Sequence, residues 1–172
     1  MTPDLPAGDE VRAEVHVRVP CESAFELFTT RLDAWSRRGV RYRNAGAAAS
    51  LMHLEAGVGG RLFEDIGGHV VEVGRVTAWQ PPHHVAFTWR STTFTREQQT
   101  EVLVHFEPRE EGTQVRVVHR GWAAIPEDHP VRHGQASVAF LRGLGLWWGD
   151  LLSSYRLQAH GRAPEGRSDS AR

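Results

Sequence analysis

Three ionisable side chains in the middle of the chain have the types and spacing that proton-transfer chemistry requires: His119, Glu64 and Glu72. In the segment that ends at His119, alternate residues share one face of a strand, so His119 lies on the same side as Val115 and Val117. This pattern turns the imidazole toward the core or a cavity. An inward histidine can serve as a general acid or base near neutral pH. The favoured alternative is a buried imidazole that is hydrogen-bonded to a neighbouring strand.

Glu64 and Glu72 stand on the two arms of a hairpin around Gly67 and Gly68. A three-residue turn centred on Gly68 would oppose the two carboxylates directly. A two-residue turn would instead place Glu64 opposite Val71 and Glu72 opposite Phe63. The sequence does not decide between these registers.

Two carboxylates that face each other in a cavity raise the pKa of one member and form an acid and base pair. The favoured alternative is that one or both face water or pair with Arg61 or Arg75, because glutamate is seldom fully buried. Tyr155, on the apolar face of a late helical segment, would donate a hydrogen bond into such a cavity or carry its hydroxyl at the rim.

Other reactive residue types predict less chemistry. His105 shares the wet face of its strand with Glu101 and Glu107, and Cys21 reads as a small buried thiol. His129 and His133 have helical spacing but lack a third ligand, so we expect no metal site. The one basic cluster is predicted to be a solvated loop, and its members are Arg37, Arg38, Arg41 and Arg43.

The elements that must position these groups alternate strongly. Apolar residues at every second position from 11 to 19 predict a first strand with one wet face, and a short amphipathic helix follows Pro20. A second short helix is expected at 32–35. Turn signals then separate six further strands into an antiparallel meander, with predicted spans of 51–56, 60–66, 70–79, 84–90, 100–107 and 113–120.

The period changes to that of a helix after residue 130. Apolar residues at spacings of three and four predict one long helix over 130–159, capped by Asp128 or His129 with Pro130 as its first residue. Its three glycines, Gly143, Gly145 and Gly149, require either close approach or open space beside the helix.

Composition sets the outer limits. The 172 residues are 40% hydrophobic and 24% charged, and they suffice for one domain, expected over 11–160 between disordered tails at 1–10 and 161–172. The net charge of -1 predicts no nucleic-acid partner, and the absence of lysine excludes Schiff-base chemistry. No membrane span or signal peptide is evident, which with a single cysteine indicates a cytoplasmic protein, monomeric or homodimeric.

The order of strand, two short helices, six strands and a long helix is the α+β helix-grip arrangement, in which a curved antiparallel sheet of about six to seven strands wraps a C-terminal helix. Short motifs recur along the chain in the same order: Val-x-Val-Pro-x-x-x-Ala-Phe-x-Leu-Phe at 17–28, Gly-Gly-Arg at 59–61, Gly-Arg-Val at 74–76 before Pro-Pro at 81–82, Val-Ala-Phe-Thr-Trp at 85–89, His-Arg-Gly-Trp at 119–122, and segments 102–107, 112–113 and 148–155. On these motifs the chain resembles the START-like (SRPBCC) superfamily, nearest the branch named after the C-terminal domain of the heat-shock ATPase activator.

The resemblance implies a cavity between sheet and helix that binds a small hydrophobic or aromatic molecule without a cofactor. The residues expected to line it are Trp89, Phe106, His119, Phe140, Trp147, Leu151 and Tyr155. The alternative is an enzyme like the polyketide cyclases and dehydratases, in which His119 acts with Glu64 or Glu72, and Tyr155 or Arg61 stabilises an enolate. A chaperone ATPase-activating module ranks third, because no separate N-terminal binding domain is expected before residue 11.

Overall fold

A computed structural model describes residues 9–161 and contains a seven-stranded sheet and three α-helices. In chain order the elements are β1 (Val11–Val17), α1 (Cys21–Thr29), α2 (Leu32–Trp35), β2 (Leu51–Leu54), β3 (Arg61–Ile66), β4 (His69–Gln80), β5 (His84–Trp89), β6 (Thr100–Arg109), β7 (Gly112–Arg120) and α3 (Ser137–Gly161). All neighbouring strands are antiparallel, in the order β1-β7-β6-β5-β4-β3-β2. The predicted fold class and every predicted strand are confirmed, with ends that differ by one or two residues.

The alternation in the sequence explains which face of the sheet is buried. Along β7 every second residue from Thr113 to His119 is buried, while the residues between them are half-exposed. β1 pairs with β7 across the chain, with Val11 opposite His119 and Val17 opposite Thr113. The first strand therefore forms one edge of the sheet beside the last strand, and α3 packs against it.

The hairpin of β3 and β4 adopts the two-residue register. Glu64 pairs with Val71 and Phe63 pairs with Glu72. The register then shifts between Leu62 and Phe63, which leaves Val73 as an extra residue, and this β-bulge places consecutive residues of β4 in the interior.

The long C-terminal helix begins later than the sequence predicts. Pro130–Arg132 forms a separate 3₁₀ turn, and the His129 side chain accepts a hydrogen bond from the Val131 amide there. His133 and Gly134 follow with φ angles of 49° and 74°, which a right-handed helix does not allow. The predicted cap at His129 therefore serves this turn, and α3 starts at Ser137.

The glycines of α3 meet both of the conditions expected of them. A Cβ built on Gly145 would lie 3.2 Å from Val11 Cγ2, so this residue allows the helix to approach β1 closely. Gly143 and Gly149 face open space.

The structure describes two residues of the predicted N-terminal tail and one of the predicted C-terminal tail. Asp9 was expected in the N-terminal tail but is buried, and its carboxylate accepts hydrogen bonds from the amides of Gly121 at 3.2 Å and Ala123 at 3.0 Å. Gly161 is the last residue of α3. The remaining predicted tail residues, 1–8 and 162–172, lie outside the described residues.

Two glycines provide a test of this packing. A Cβ on Gly74 would overlap the Thr88 carbonyl oxygen, so we expect Gly74→Ala to lower the free energy of unfolding by about 2 kcal/mol or more. Gly143 is in α3 and a Cβ there would meet no other atom, so Gly143→Ala should raise the free energy of unfolding by up to about 1 kcal/mol. Urea titration measures both; equal effects of the two changes would contradict the strand contact at Gly74.

Candidate functional site

A cavity of about 310 Å³ lies between the sheet, α2 with the loop after it, and α3. Its interior is mainly apolar and includes four indole rings. The apolar lining residues are Phe28, Leu32, Trp35, Met52, Leu54, Leu62, Val73, Phe87, Trp89, Trp147, Trp148 and Leu151. The volume falls at the lower end of the range for small-molecule sites.

The lining residues that are exposed to solvent mark the opening of the cavity, which we call the mouth. They are Arg37, Val40, Arg41, Asn44 and His133. Arg90 lines the cavity too and is half-buried. The site therefore combines an aromatic interior with a basic, polar mouth.

Three of the seven predicted lining residues line this cavity: Trp89, Trp147 and Leu151. The other four are packed into solid core instead. Phe106 contacts the rings of Phe25 and Phe28 at centroid distances of 5.3 Å and 5.8 Å. This contact leaves no open space beside Phe106.

The remaining two apolar predictions also lie in solid core. Tyr155 donates a hydrogen bond of 2.7 Å to the Ala24 carbonyl oxygen, so its hydroxyl anchors α1 and does not reach the cavity. Burial raises the pKa of Tyr155 well above its ordinary value. Phe140 is partly buried and packs on Trp122 at a centroid distance of 5.0 Å, against a second core cluster, and it does not line the cavity.

His119 is fully buried behind the aromatic side of the cavity and does not line it. Trp148 Nε1 donates to His119 Nδ1 at 3.2 Å, so the proton of the neutral ring is on Nε2, which donates to Thr100 Oγ1 at 2.7 Å. Thr100 in turn donates to the Trp89 carbonyl oxygen at 3.1 Å. Both ring nitrogens are therefore occupied, as the favoured alternative predicts.

The chain of hydrogen bonds gives His119 a structural role at the site. Burial lowers its pKa from 6.5 to about 3, so the ring stays neutral at physiological pH. It ties together Trp148 and Trp89, which both line the cavity. His119 positions the aromatic lining and is not placed to exchange protons with a bound molecule.

Glu64 does line the cavity and is only 1% exposed. Its carboxylate accepts hydrogen bonds from the Asn44 amide at 2.7 Å, the Ala45 amide at 2.9 Å and the Ser50 hydroxyl at 2.8 Å. Burial acts to raise the pKa of Glu64, but these hydrogen bonds outweigh it and hold the pKa below its ordinary value of 4.5. Glu64 is therefore an ionised group that fastens the loop after α2 to the sheet.

Glu72 lies on the outer face, so the predicted carboxylate pair does not form. It makes an ion pair with Arg75, with Nε to Oε1 at 2.6 Å, and both side chains are exposed. Arg61, the proposed enolate stabiliser, is likewise paired outside, with Glu55 at 2.8 Å. In the two-residue register Glu64 lies opposite Val71 and Glu72 lies opposite Phe63. The two carboxylates are therefore on opposite faces of the hairpin, with Glu64 inward and Glu72 outward.

The prediction that the basic cluster is a solvated loop is wrong for Arg43, which is only 5% exposed. Its guanidinium donates to Asp33 at 3.0 Å and to carbonyl and hydroxyl oxygens of Ser36 and Ser50. Ser50 also donates to Glu64, so one polar network runs from Asp33 to Glu64. This network shapes the loop wall of the cavity. The sequence does not predict it, because loop residues have no periodic pattern of burial.

The other histidines and the thiol form no reactive site. His105 is exposed and stacks on His84 at a centroid distance of 4.3 Å. Cys21 is buried and free, with the Thr113 hydroxyl 3.5 Å from its sulfur. Across residues 9–161 no group of three or more histidine, cysteine, aspartate or glutamate side chains is arranged to hold a metal ion. In the same range no helix is long and apolar enough to cross a bilayer.

The curved sheet, the long helix and the cavity between them define a helix-grip protein of the SRPBCC type. The family model described as "Activator of Hsp90 ATPase homolog 1-like protein" matches residues 18–144. That stretch is well over half of the 172 residues, so the chain belongs to this family.

Solved structures share the fold at low sequence identity. A Mesorhizobium loti protein superposes with a TM-score of 0.62 at 18% identity, over 90% of this chain and 98% of that chain. An HSP90 activator from Plasmodium falciparum gives 0.60 at 20% identity, over 88% and 96%. The Aha1 dimer from Colwellia psychrerythraea gives 0.57 at 19% identity, over 90% and 98%. No curated protein sequence matches the chain.

The role of His119 can be read from its ring protonation. Because the neutral form is held by burial, we expect the ring to carry its proton on Nε2 and not to titrate between pH 8 and pH 5, the interval above its pKa of about 3. Long-range ¹H–¹⁵N NMR spectra of the ring report both properties. An imidazole that titrates near pH 6 would return His119 to the list of acid and base candidates.

Glu64 and Glu72 form a matched pair of variants. Glu64→Gln should lower the free energy of unfolding by about 1–3 kcal/mol at pH 7, because an amide cannot accept all three hydrogen bonds. Glu72→Gln should change it little, because exposed ion pairs contribute weakly. The folded-state pKa of Glu64 lies below 4.5, so its contribution is complete above pH 4.5 and declines as the pH falls further.

Denaturation of the wild-type chain and both variants at pH 7 and pH 3 measures these effects. The deficit of Glu64→Gln should be smaller at pH 3. A deficit that is equal at both pH values would mean that the ionised carboxylate is not what stabilises the loop.

Proposed function

We propose that the chain binds a small, largely apolar molecule, aliphatic or aromatic, in the cavity between the sheet and α3. The observation that carries the proposal is that large aromatic side chains border open space instead of filling it. Cores normally pack to the density of organic crystals, and apolar side chains that border about 310 Å³ of open space give up contacts that tight packing would supply, at a cost in free energy. A bound apolar molecule offsets that cost.

Three of the four indoles that line the cavity are anchored at their polar ends. Trp35 donates to the Leu27 carbonyl at 3.1 Å, Trp147 to the Arg41 carbonyl at 2.8 Å, and Trp148 to His119 at 3.2 Å. Rotating any of these three rings into the cavity would break its hydrogen bond, and the bonds of Trp35 and Trp148 are buried. The cavity is therefore preformed, which favours binding because little order has to be gained when a molecule enters.

The occupied polar groups support binding over catalysis of the cyclase or dehydratase type. His119 has both nitrogens bonded and stands behind Trp148. The Glu64 carboxylate accepts three hydrogen bonds from the protein itself. General acid and base catalysis needs a group within hydrogen-bond reach of the bound molecule, and neither residue offers a free one.

Saturable uptake of an uncharged apolar dye tests the proposal. 1-Naphthylamine, which is uncharged at neutral pH, is close to the cavity in size and changes its emission in apolar surroundings, should bind the wild-type chain at one molecule per chain. Leu151→Trp, which fills the cavity from α3, should weaken dye binding by roughly tenfold or more. The control is Leu146→Trp on the same helix, where the leucine is 67% exposed and does not line the cavity.

Circular dichroism checks that each variant is folded, and Met52→Trp replaces Leu151→Trp if that chain does not fold. Absence of saturable binding to the wild-type chain, or equal binding by the filled variants, would refute the proposal.

A second candidate function, activation of a chaperone ATPase, is favoured by the family and by the Plasmodium falciparum neighbour that is described as an HSP90 activator. Its test is the ATPase rate of purified Hsp90 with and without the chain. An unchanged rate at saturating concentrations of the chain would remove this candidate.

A further inference from the structure

The charges that line the cavity are unequal in sign. Four arginines line it, Arg37, Arg41, Arg43 and Arg90, against one carboxylate, Glu64. The whole chain has a net charge of -1, so the excess of positive charge at the cavity is local and does not reflect the composition.

The two buried charges of the lining are already balanced by the protein. Glu64 accepts three hydrogen bonds, and Arg43 is paired with Asp33 at 3.0 Å. Neither group is left to attract or repel a bound molecule strongly. The charges that remain available are those of Arg37, Arg41 and Arg90.

These three arginines make no ion pair with any residue from 9 to 161. Arg90 donates to the Thr95 carbonyl oxygen at 2.6 Å. The guanidinium carbons of Arg37 and Arg41 lie 5.4 Å and 5.7 Å from the centre of the Tyr42 ring. Both cations therefore lie beside the same ring.

The ring that carries this pair is part of the rigid wall of the cavity. Tyr42 stacks on Trp147 with a centroid distance of 6.0 Å and an interplanar angle of 21°. Its hydroxyl donates to the Asp150 carboxylate at 3.0 Å, and the Trp147 indole donates to the Arg41 carbonyl. The basic mouth is thus continuous with the aromatic interior.

We infer that the cavity selects an amphipathic organic anion, with its apolar body among the indoles and its carboxylate or phosphate head between Arg37, Arg41 and Arg90. This inference rests on the proposed function and adds the charge of the ligand to it. Guanidinium groups match such heads with paired hydrogen bonds. At about 30 Å³ per water-sized unit, the cavity of about 310 Å³ suits a body of about ten heavy atoms.

Octanoate and 1-octanol form a pair of probes that differ in charge but share a chain length suited to the cavity. Isothermal titration calorimetry at pH 7 and low ionic strength should give an affinity for octanoate at least about tenfold above that for octanol. Added salt should reduce this preference, because the head group stays near solvent.

The double variant Arg37→Gln with Arg41→Gln should remove most of the preference for octanoate over octanol. Both arginines are exposed, so the variant is expected to fold, and Arg90→Gln can be added to it. The matched control is Arg142→Gln with Arg156→Gln on α3. These residues are exposed, do not line the cavity and give the same change of net charge.

The possible results separate the two proposals. If octanol binds as tightly as octanoate, or if the mouth variant keeps the preference, the anion inference fails while apolar binding stands. If neither probe nor the neutral dye binds, both proposals fail. If the control variant loses the preference as fully as the mouth variant does, the effect comes from total charge, and the assignment to Arg37 and Arg41 is wrong.

Discussion

A cavity lined by large apolar rings has to resist collapse, because tight packing has a lower free energy than open space. Here the resistance comes from hydrogen bonds at the edges of the indoles. The nitrogen of Trp148 is held by His119, and that of Trp147 by the Arg41 carbonyl. Both rings line the cavity, so these bonds hold two of its walls in place. The polar atoms of the site thus support its apolar surface.

The loop opposite the helix is fixed by a different kind of contact. Arg43, Ser50 and Glu64 form one satisfied polar network that ends on Asp33 in α2. Buried charges are tolerated only with partners, and this network supplies partners for every member. The segment between α2 and β2 contains no helix or strand, so this network is what fixes it as a wall of the cavity. The side chains of the mouth arginines take no part in this network.

Periodicity explains which of these features the sequence could predict. Strands with one wet face alternate, so the inward direction of His119 and the outward direction of His105 could both be read from their neighbours. The same pattern cannot say whether an inward residue meets open space or solid core, and Phe106, Phe140 and Tyr155 were therefore misplaced into the lining. Glu64 and Glu72 depended on turn length, which two consecutive glycines leave open. Arg43 lies in a loop, where burial is decided by distant partners and leaves no local pattern.

The pairing of β1 with β7 has a consequence for the order of assembly. Val11 and His119 are neighbours in the sheet although more than a hundred residues separate them along the chain. A ribosome must release the whole meander before β1 can join it, and contacts so distant in sequence make folding slow. The hairpins from β2 to β7 can form locally first. The helix α3 follows all seven strands along the chain and packs against β1, so on the ribosome the strands are available before the helix that encloses the cavity.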